Sequence, residues 1–152
     1  MAGSPTTAAV RGVDPRGLRF AATVTAIVLA IVLVTSSPIL LAVQAIVFAL
    51  GAFGGMRRAP YGLTFRHLIA KRLGKPAELE AEPPPRFAQA VGLVFALVGV
   101  IGYASGLGWL GIVATAFAFI AAFLNAAFGF CLGCELYLLS RRVLTTRKGV
   151  TA

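Results

Sequence analysis

The only two cysteines of the chain form a C-x-x-C motif, Cys131-Leu132-Gly133-Cys134, directly after a long apolar stretch. This spacing holds two sulfurs close enough to bond, and on a helix it places the Cα atoms within the range that a disulfide bridges. The motif therefore fits a redox dithiol, half of a metal site, or two small apolar residues that pack at a helix end.

The surrounding sequence favours a catalytic dithiol in which the two cysteines have different roles. If a helix begins near Phe130 or Cys131, its free amides and dipole stabilise a thiolate on Cys131, which is then the candidate nucleophile. Cys134, on the same side of that helix, is the resolving thiol. Glu135 is a candidate proton acceptor or a residue that favours the helix start, although its charge disfavours a neighbouring thiolate. Arginines further along the chain and in the loops add positive charge near the pair.

A metal site is the weaker alternative, because the chain offers few other ligands. Structural zinc takes four ligands, and beyond the two thiolates there remain only carboxylates and His67, the sole histidine. His67 lies in an amphipathic segment, where a histidine is typically a surface residue, so the sequence predicts no metal. The basic residues discussed below predict that the motif lies on the cytoplasmic side, where thiols are kept reduced. A disulfide at this motif is therefore expected to be transient and catalytic or sensory.

The composition is that of an integral membrane protein. Of 152 residues, 59% are apolar and only 12% are charged, which is too hydrophobic for a single soluble domain. Four apolar segments are each long enough to cross about 30 Å of hydrocarbon as a helix. The predicted spans are residues 18–35, 39–56, 87–103 and 109–130. The predicted fold class is therefore all-α, a polytopic four-helix membrane bundle with an additional cytoplasmic amphipathic helix.

The positions of the basic residues predict the orientation of the chain. All 14 Lys and Arg residues lie before or at the very start of the first span, between the second and third, or after the fourth. By the positive-inside rule, both termini and the 57–86 loop are cytoplasmic, in the plasma membrane. Residues 1–17 are then an N-terminal tail and 141–152 a basic C-terminal tail, and the first span is expected to be retained, not cleaved. Topology accounts for the net charge of +9, so no nucleic-acid partner is predicted.

Two short motifs recur in the two halves and predict a repeat of helical hairpins. An Arg-Phe-Ala motif opens each hairpin, and an Ala-Phe-Gly motif closes each. The motifs are Arg19-Phe20-Ala21, Arg86-Phe87-Ala88, Ala52-Phe53-Gly54 and Ala127-Phe128-Gly129. Halves repeated in this way are related by an axis along the membrane normal. The alignment places Cys131 opposite Met56 and Cys134 opposite Ala59, at the cytoplasmic end of the fourth span.

The loop between the second and third spans has two parts. From Tyr61 to Leu73, apolar residues recur at helical spacing with basic residues between them, which predicts an amphipathic helix on the inner leaflet. From Lys75 onward, three glutamates precede Pro83-Pro84-Pro85. That run predicts an extended, solvated linker.

Three stretches of the sequence resemble a known family. They are Val13-Asp14-Pro15-Arg16, the segment PRFAQAVG at 85–92, and the segment AAFLNAAFGFCLGCE at 121–135. Over about residues 13–140 the chain resembles a bacterial, actinobacterial-type family of four-span membrane proteins that is catalogued as a domain of unknown function. The family's signature includes the cysteine pair, and its genes often neighbour those of thioredoxin-like proteins or sulfurtransferases. The resemblance implies a thiol role with such a soluble partner.

The leading hypothesis is a membrane-embedded thiol-disulfide or sulfur-handling protein. Cys131 attacks a partner disulfide or persulfide, Cys134 resolves the product, and the bundle passes electrons to a membrane carrier such as a quinone. Four-span proteins that oxidise dithiols with quinone are a familiar design, but their reactive cysteines face the outer side and they relay electrons through a second cysteine pair. This chain has no second pair, so a soluble thiol protein must supply it.

Two alternatives remain open. The first is a non-catalytic membrane scaffold or subunit that docks a cytoplasmic partner. The second is a small solute transporter whose path is lined by the polar residues within or near the spans, Gln44, Gln89 and Asn125. Interhelical hydrogen bonds are the simpler role for those three side chains. The sequence predicts no resident cofactor and leaves the oligomeric state open.

Overall fold

The computed structural model describes residues 12–150 and shows an all-α protein with one short β pair. Its elements, in chain order, are β1 Gly12–Val13, α1 Pro15–Thr35, α2 Pro38–Gly54, α3 Pro60–Phe65, a π-helical segment Arg66–Ala70, α4 Lys71–Leu73, β2 Glu80–Ala81, α5 Pro83–Ala104, α6 Gly108–Phe128 and α7 Leu132–Val150. Because α3, the π-helical segment and α4 follow one another without a break, the described residues form six helices. Positions 1–11 of the predicted N-terminal tail, and positions 151 and 152, lie outside the described residues.

Three helices are long and apolar enough to cross a membrane. They are α1, α5 and α6, with 21, 22 and 21 residues and mean hydropathies of 2.3, 2.0 and 2.1. At 1.5 Å per residue each measures about 31–33 Å, close to the thickness of the hydrocarbon core. Large apolar side chains such as Ile27, Val94 and Phe117 project from them into the surroundings. These helices indicate a multi-pass membrane protein. The predicted fourth span, α2, is apolar but has only 17 residues.

The four apolar helices form a bundle in which each helix of one hairpin packs on a helix of the other. α1 lies against α6, α2 lies against α5, and α5 also contacts α6, whereas α1 and α2 touch little. The centre is aliphatic, with Leu29, Val32 and Leu41 fully buried. A Cβ on Gly102 would overlap the backbone of Gly111. Small residues therefore bring α5 and α6 into backbone contact, as is common between membrane helices.

Two arginines join the hairpins at the basic end of the bundle. Arg86, near the start of α5, donates from Nε and Nη2 to the carbonyl oxygen of Ala52 in α2, at 3.1 and 3.0 Å. Arg19, near the start of α1, donates from Nη2 to the carbonyl oxygens of Ala126 and Ala127 in α6, at 3.2 and 3.4 Å. The last carbonyls of a helix lack partners within it and carry partial negative charge. The two Arg-Phe-Ala motifs thus make equivalent contacts with the two Ala-Phe-Gly motifs.

Each hairpin is followed by a helix that folds back onto the first helix of its own half. α3 packs on α1, where the ring of Phe65 lies 5.8 Å from that of Phe20. α7 packs on α5, where the ring of Tyr137 lies 5.8 Å from that of Phe87. Phe20 and Phe87 occupy the same place in the two Arg-Phe-Ala motifs. The correspondence between the halves therefore includes a third helix in each.

The helix predicted between Tyr61 and Leu73 is present, with a π-helical segment in its middle. The apolar residues of this helix have different surroundings. Phe65 is buried against α1, whereas Leu68 and Leu73 are exposed. Tyr61 donates a hydrogen bond of 2.7 Å to Oε1 of Gln44 in α2, and burial raises the pKa of Tyr61. The helix is thus tied to the bundle at its start, and its exposed leucines fit an interfacial position.

A polar cluster ties the start of α1 to the end of α4. Asp14 caps α1 by accepting a hydrogen bond from the N–H of Arg16 at 2.9 Å. Hydrogen bonds from the Arg16 side chain hold the pKa of Asp14 below its ordinary value. The same guanidinium donates to the carbonyl oxygens of Leu73 and Gly74, at 3.5 and 3.0 Å. These contacts hold the end of α4 beside the start of α1.

The proline run does not form the extended linker that its sequence predicts. Pro83, Pro84 and Pro85 make the first turn of α5, because the first N–H groups of a helix have no intrahelical acceptor and proline lacks only that group. Glu82, which precedes the run, is not a solvated connector residue. Its Oε1 accepts a hydrogen bond from the N–H of Met56 at 3.0 Å. The linker expectation is therefore wrong at its C-terminal end.

We predict that Arg86→Gln lowers the free energy of unfolding by about 1 kcal/mol, because the end of α2 loses charge-assisted hydrogen bonds. Arg19→Gln should have a similar effect through α6. Thermal or denaturant unfolding in detergent, followed by circular dichroism, measures the loss. Arg57→Gln is the matched control, since Arg57 follows α2 but makes no side-chain hydrogen bond within residues 12–150. An equal loss in the Arg57 variant would show that net charge, and not the cap, is responsible.

Candidate functional site

The turn between α6 and α7 positions the cysteine pair. α6 ends at Phe128, and Gly129 follows with a φ of 68°, a left-handed conformation that glycine adopts readily. The N–H of Gly129 donates to the carbonyl of Asn125 at 3.0 Å, and that of Phe130 donates to the carbonyl of Leu124 at 3.3 Å. The bond from Gly129 to Asn125 is the 5→1 bond of a left-handed helix cap. The chain therefore bends at this glycine, between α6 and α7.

Cys131 is the N-cap residue of the next helix. Its carbonyl accepts the first intrahelical hydrogen bond, from the N–H of Glu135 at 3.0 Å, and α7 begins with Leu132. Its Sγ accepts a hydrogen bond from the N–H of Cys134 at 3.2 Å, the amide that a capping side chain commonly binds. The predicted helix start beside Cys131 is confirmed. A thiolate at this atom would face free amides at the positive end of a 19-residue helix.

Cys131 and Cys134 are joined by a disulfide. Their Cα atoms lie 5.2 Å apart, within the range that the C-x-x-C spacing predicts. Both residues are half-buried. Gly133 between them is buried against Ala88 of α5, where a Cβ would overlap the backbone of α5. The glycine therefore lets the turn lie directly on α5.

The charged residues predicted to assist the pair are not the ones nearest to it. Glu135 stands in the first turn of α7 with an exposed side chain, and it does not line the cavity that the cysteines line. Arg141 and Arg142 are exposed about two turns further along α7. Sequence reasoning missed Arg19, which lines the cysteine cavity and approaches Gly129. The repeated Arg-Phe-Ala motif was the signal that could have identified it.

A cavity of about 370 Å³ extends from the cysteine pair into the bundle. Its walls are mostly apolar residues of α1, α5 and α6, and both cysteines lie at its basic end. Along α1 it extends from Pro15 to Thr25, a distance of about 15 Å at 1.5 Å per residue. A cavity of this volume accommodates a small ligand or the head of a larger lipid-soluble one.

The structure separates the three polar residues that the sequence places within or near the spans. Gln89 and Asn125 line the cavity, whereas Gln44 does not. Gln44 is 1% exposed and its Oε1 is occupied by the Tyr61 hydroxyl. The amide groups of Gln89 and Asn125 make no hydrogen bond with other residues in the part of the chain that the structure describes. Those two amides are therefore available to a ligand in the cavity.

The first half contains an equivalent turn with different chemistry. Met56, which the repeat places opposite Cys131, is 6% exposed and lines the same cavity. A thioether cannot exchange with a disulfide, so Met56 cannot take part in such chemistry. His67 is exposed on the π-helical segment, and among residues 12–150 no three His, Cys, Asp or Glu side chains are grouped as metal ligands.

One family model matches most of the chain that the structure describes. The model of a family described as a domain of unknown function (DUF4395) matches residues 13–142 of the 152. The match begins at β1 and ends within α7, so it includes the four apolar helices, the cysteine pair and the lining of the cavity. No curated protein and no solved structure gives a significant match.

We predict that Cys131 in a Cys134→Ser variant is alkylated about tenfold faster than Cys134 in a Cys131→Ser variant, because the start of α7 stabilises the Cys131 thiolate. Iodoacetamide at mildly acidic pH discriminates between the two, since only the thiolate reacts. Mass spectrometry of the time course measures both rates, and circular dichroism verifies that both variants are folded. Equal rates would contradict the assignment of Cys131 as the nucleophile.

Proposed function

The chain belongs to this DUF4395 family, and we propose that it is a membrane-embedded protein of thiol-disulfide exchange or sulfur handling. The observation that carries the proposal is the Cys131–Cys134 disulfide at the start of α7, with the Cys131 sulfur on the amide of Cys134. Both cysteines are partly accessible, as exchange with a second protein requires. The amide and the helix dipole favour the thiolate, which is the reactive form.

Exchange proceeds through a mixed disulfide on Cys131. In the reduced protein the Cys131 thiolate attacks one sulfur of a partner disulfide, and the partner's other sulfur leaves as a thiolate. Cys134 then loses its proton and attacks Cys131, which restores the internal S–S bond and releases the partner as a dithiol. In reverse, a partner dithiol reduces the Cys131–Cys134 disulfide. Glu135 acts in this scheme as a residue of the helix start, since an exposed carboxylate in the first turn complements the dipole.

The same site handles a persulfide without further residues. The Cys131 thiolate attacks the outer sulfur of the persulfide, and the partner leaves as a thiolate. Attack by Cys134 on Cys131 then closes the internal disulfide and releases the transferred sulfur as hydrosulfide. A soluble protein of the thioredoxin-like or sulfurtransferase type supplies the substrate, because this chain has no second cysteine pair to relay electrons.

The proposal includes a topology with α2 as the fourth span and two repeated hairpins. α1 and α5 begin, and α2 and α6 end, on the side that carries the basic residues. The connections on the other side, residues 36–37 and 105–107, carry no charge. The positive-inside rule then places both termini and the cysteine pair on the cytoplasmic side of the plasma membrane. Local thinning of the bilayer accommodates the shorter α2.

A scaffold that docks a cytoplasmic partner is the second candidate function. The observation in its favour is the second half of α7, which is exposed from Leu138 to Gly149 and carries leucines as well as basic residues. Such a helix can hold a partner without cysteine chemistry. Co-purification that survives replacement of both cysteines favours the scaffold. Loss of uptake on replacing Gln89 or Asn125, but not the cysteines, favours a solute transporter instead.

We predict that Cys134→Ser traps a mixed disulfide between Cys131 and a soluble partner in cells, because the resolving thiol is absent. Non-reducing electrophoresis followed by mass spectrometry identifies the trapped protein. Cys131→Ser is the matched control, since it keeps one thiol but lacks the nucleophile and should trap nothing. If neither variant traps a partner and both behave like the parent, the thiol function is excluded.

We predict that a membrane-impermeant maleimide labels the reduced cysteine pair in inverted vesicles and not in intact cells, because the pair faces the cytoplasm. Labelling is read by mass shift. Ser105→Cys, in a background with both native cysteines replaced by serine, is the control for the opposite side and should react in intact cells. Labelling of the native pair in intact cells would reverse the topology.

A further inference from the structure

We propose that the cavity beside the cysteine pair binds a lipid-soluble quinone, as a substrate that reoxidises the dithiol. This inference rests on the thiol function above and adds the class of its second substrate. Both cysteines line the cavity, together with residues of α1, α5 and α6, the three candidate spans. A ligand in the cavity therefore contacts the sulfurs at one end and lies at membrane depth at the other.

The lining determines what kind of ligand fits. Along most of its length the wall consists of alanine, leucine, valine and phenylalanine side chains, so the ligand is largely apolar. The polar exceptions are Arg19, Thr25, Glu80, Gln89 and Asn125. The amides of Gln89 and Asn125 lack hydrogen-bond partners among residues 12–150. An amide donates to a carbonyl oxygen and accepts from a hydroxyl. Two such groups suit a molecule that is a diketone in one redox state and a diol in the other.

The electron balance of the cysteine pair identifies the same class of molecule. When the dithiol is oxidised, two S–H bonds break and the Cys131–Cys134 S–S bond forms. Two electrons and two protons are released in this step. A quinone accepts both electrons into its ring and both protons on its carbonyl oxygens, and it leaves as the quinol. The acyl chain of a phospholipid could fill the apolar part of the cavity but accepts no electrons.

The soluble dithiol protein and the quinone reach the cysteine pair from different sides. Both cysteines are half-buried residues at the basic end of the bundle, where a soluble dithiol protein can reduce the disulfide. The quinone meets the same sulfurs from inside the bundle. Electrons then pass from the soluble dithiol to the Cys131–Cys134 pair and from there into the membrane.

The test uses full-length protein in detergent, reduced with dithiothreitol, freed of excess reductant and mixed with a short-chain benzoquinone. Disulfide formation is followed by loss of maleimide labelling, and quinone consumption by absorbance. The parent should consume one quinone for each disulfide formed, with a rate that saturates as the quinone concentration rises. Ala121→Phe, which projects a ring into the cavity from α6, should slow reoxidation about tenfold or more. Ala127→Phe is the matched control on an exposed position of α6 and should stay within about twofold of the parent.

Asn125→Leu is the second variant, because it removes an amide at nearly constant volume and should raise KM for the quinone more than it lowers kcat. Reoxidation that does not saturate, or that is equal in the parent and both cavity variants, overturns the proposal. So does a phospholipid that co-purifies in the cavity and that quinone does not displace. Reduction of the disulfide by a soluble dithiol is measured in the same samples. If that reaction succeeds while the quinone reaction fails, the quinone site alone is wrong; if both fail, the thiol function is wrong.

Discussion

The carbonyl groups at the ends of α2 and α6 impose the constraint on which this bundle depends, because the last carbonyls of a helix have no partners within it. Arg86 satisfies carbonyls of α2, and Arg19 satisfies those of α6. Each arginine belongs to the first helix of the opposite hairpin. The hydrogen bonds that complete a helix end therefore also set the two hairpins against each other. α1 packs on α6 and α2 packs on α5, so each arginine contact joins two helices that lie against each other.

The same arginine contacts help to position the cysteine site. Arg19 binds the last turn of α6 immediately before Gly129, where the chain bends and α7 begins. Contacts of Gly133 and Tyr137 with α5 then hold the first turns of α7 on the bundle. Cys131 is thus held at a helix N-terminus by neighbours from α1 and α5. A site supported by rigid helices holds its sulfurs in place better than one on a free loop.

The corresponding turn of the first half, after α2, has different side chains and different closing contacts. There Met56 takes the place of Cys131, and Glu82 binds its backbone N–H from the start of α5. That turn is closed by a long-range polar contact and carries no exchangeable sulfur. The second turn is closed by its own disulfide, and residues of both turns line the cavity. The two turns therefore differ in their closing contacts: a hydrogen bond from Met56 to Glu82 in the first and the Cys131–Cys134 disulfide in the second.

The sequence alone was enough to predict the features that depend on neighbouring residues: the apolar helices, the confinement of basic residues to one side and the helix start at Cys131. It could not show that the proline run opens α5, since proline suits a first helical turn as well as an extended linker. It also could not show that Gln89 and Asn125 line the cavity whereas Gln44 does not. Only the tertiary structure decided which helices are neighbours, that Glu82 reaches Met56, and that a cavity meets the cysteines. Hydropathy and capping act over a few residues, whereas contacts and voids between helices depend on side chains from distant parts of the chain.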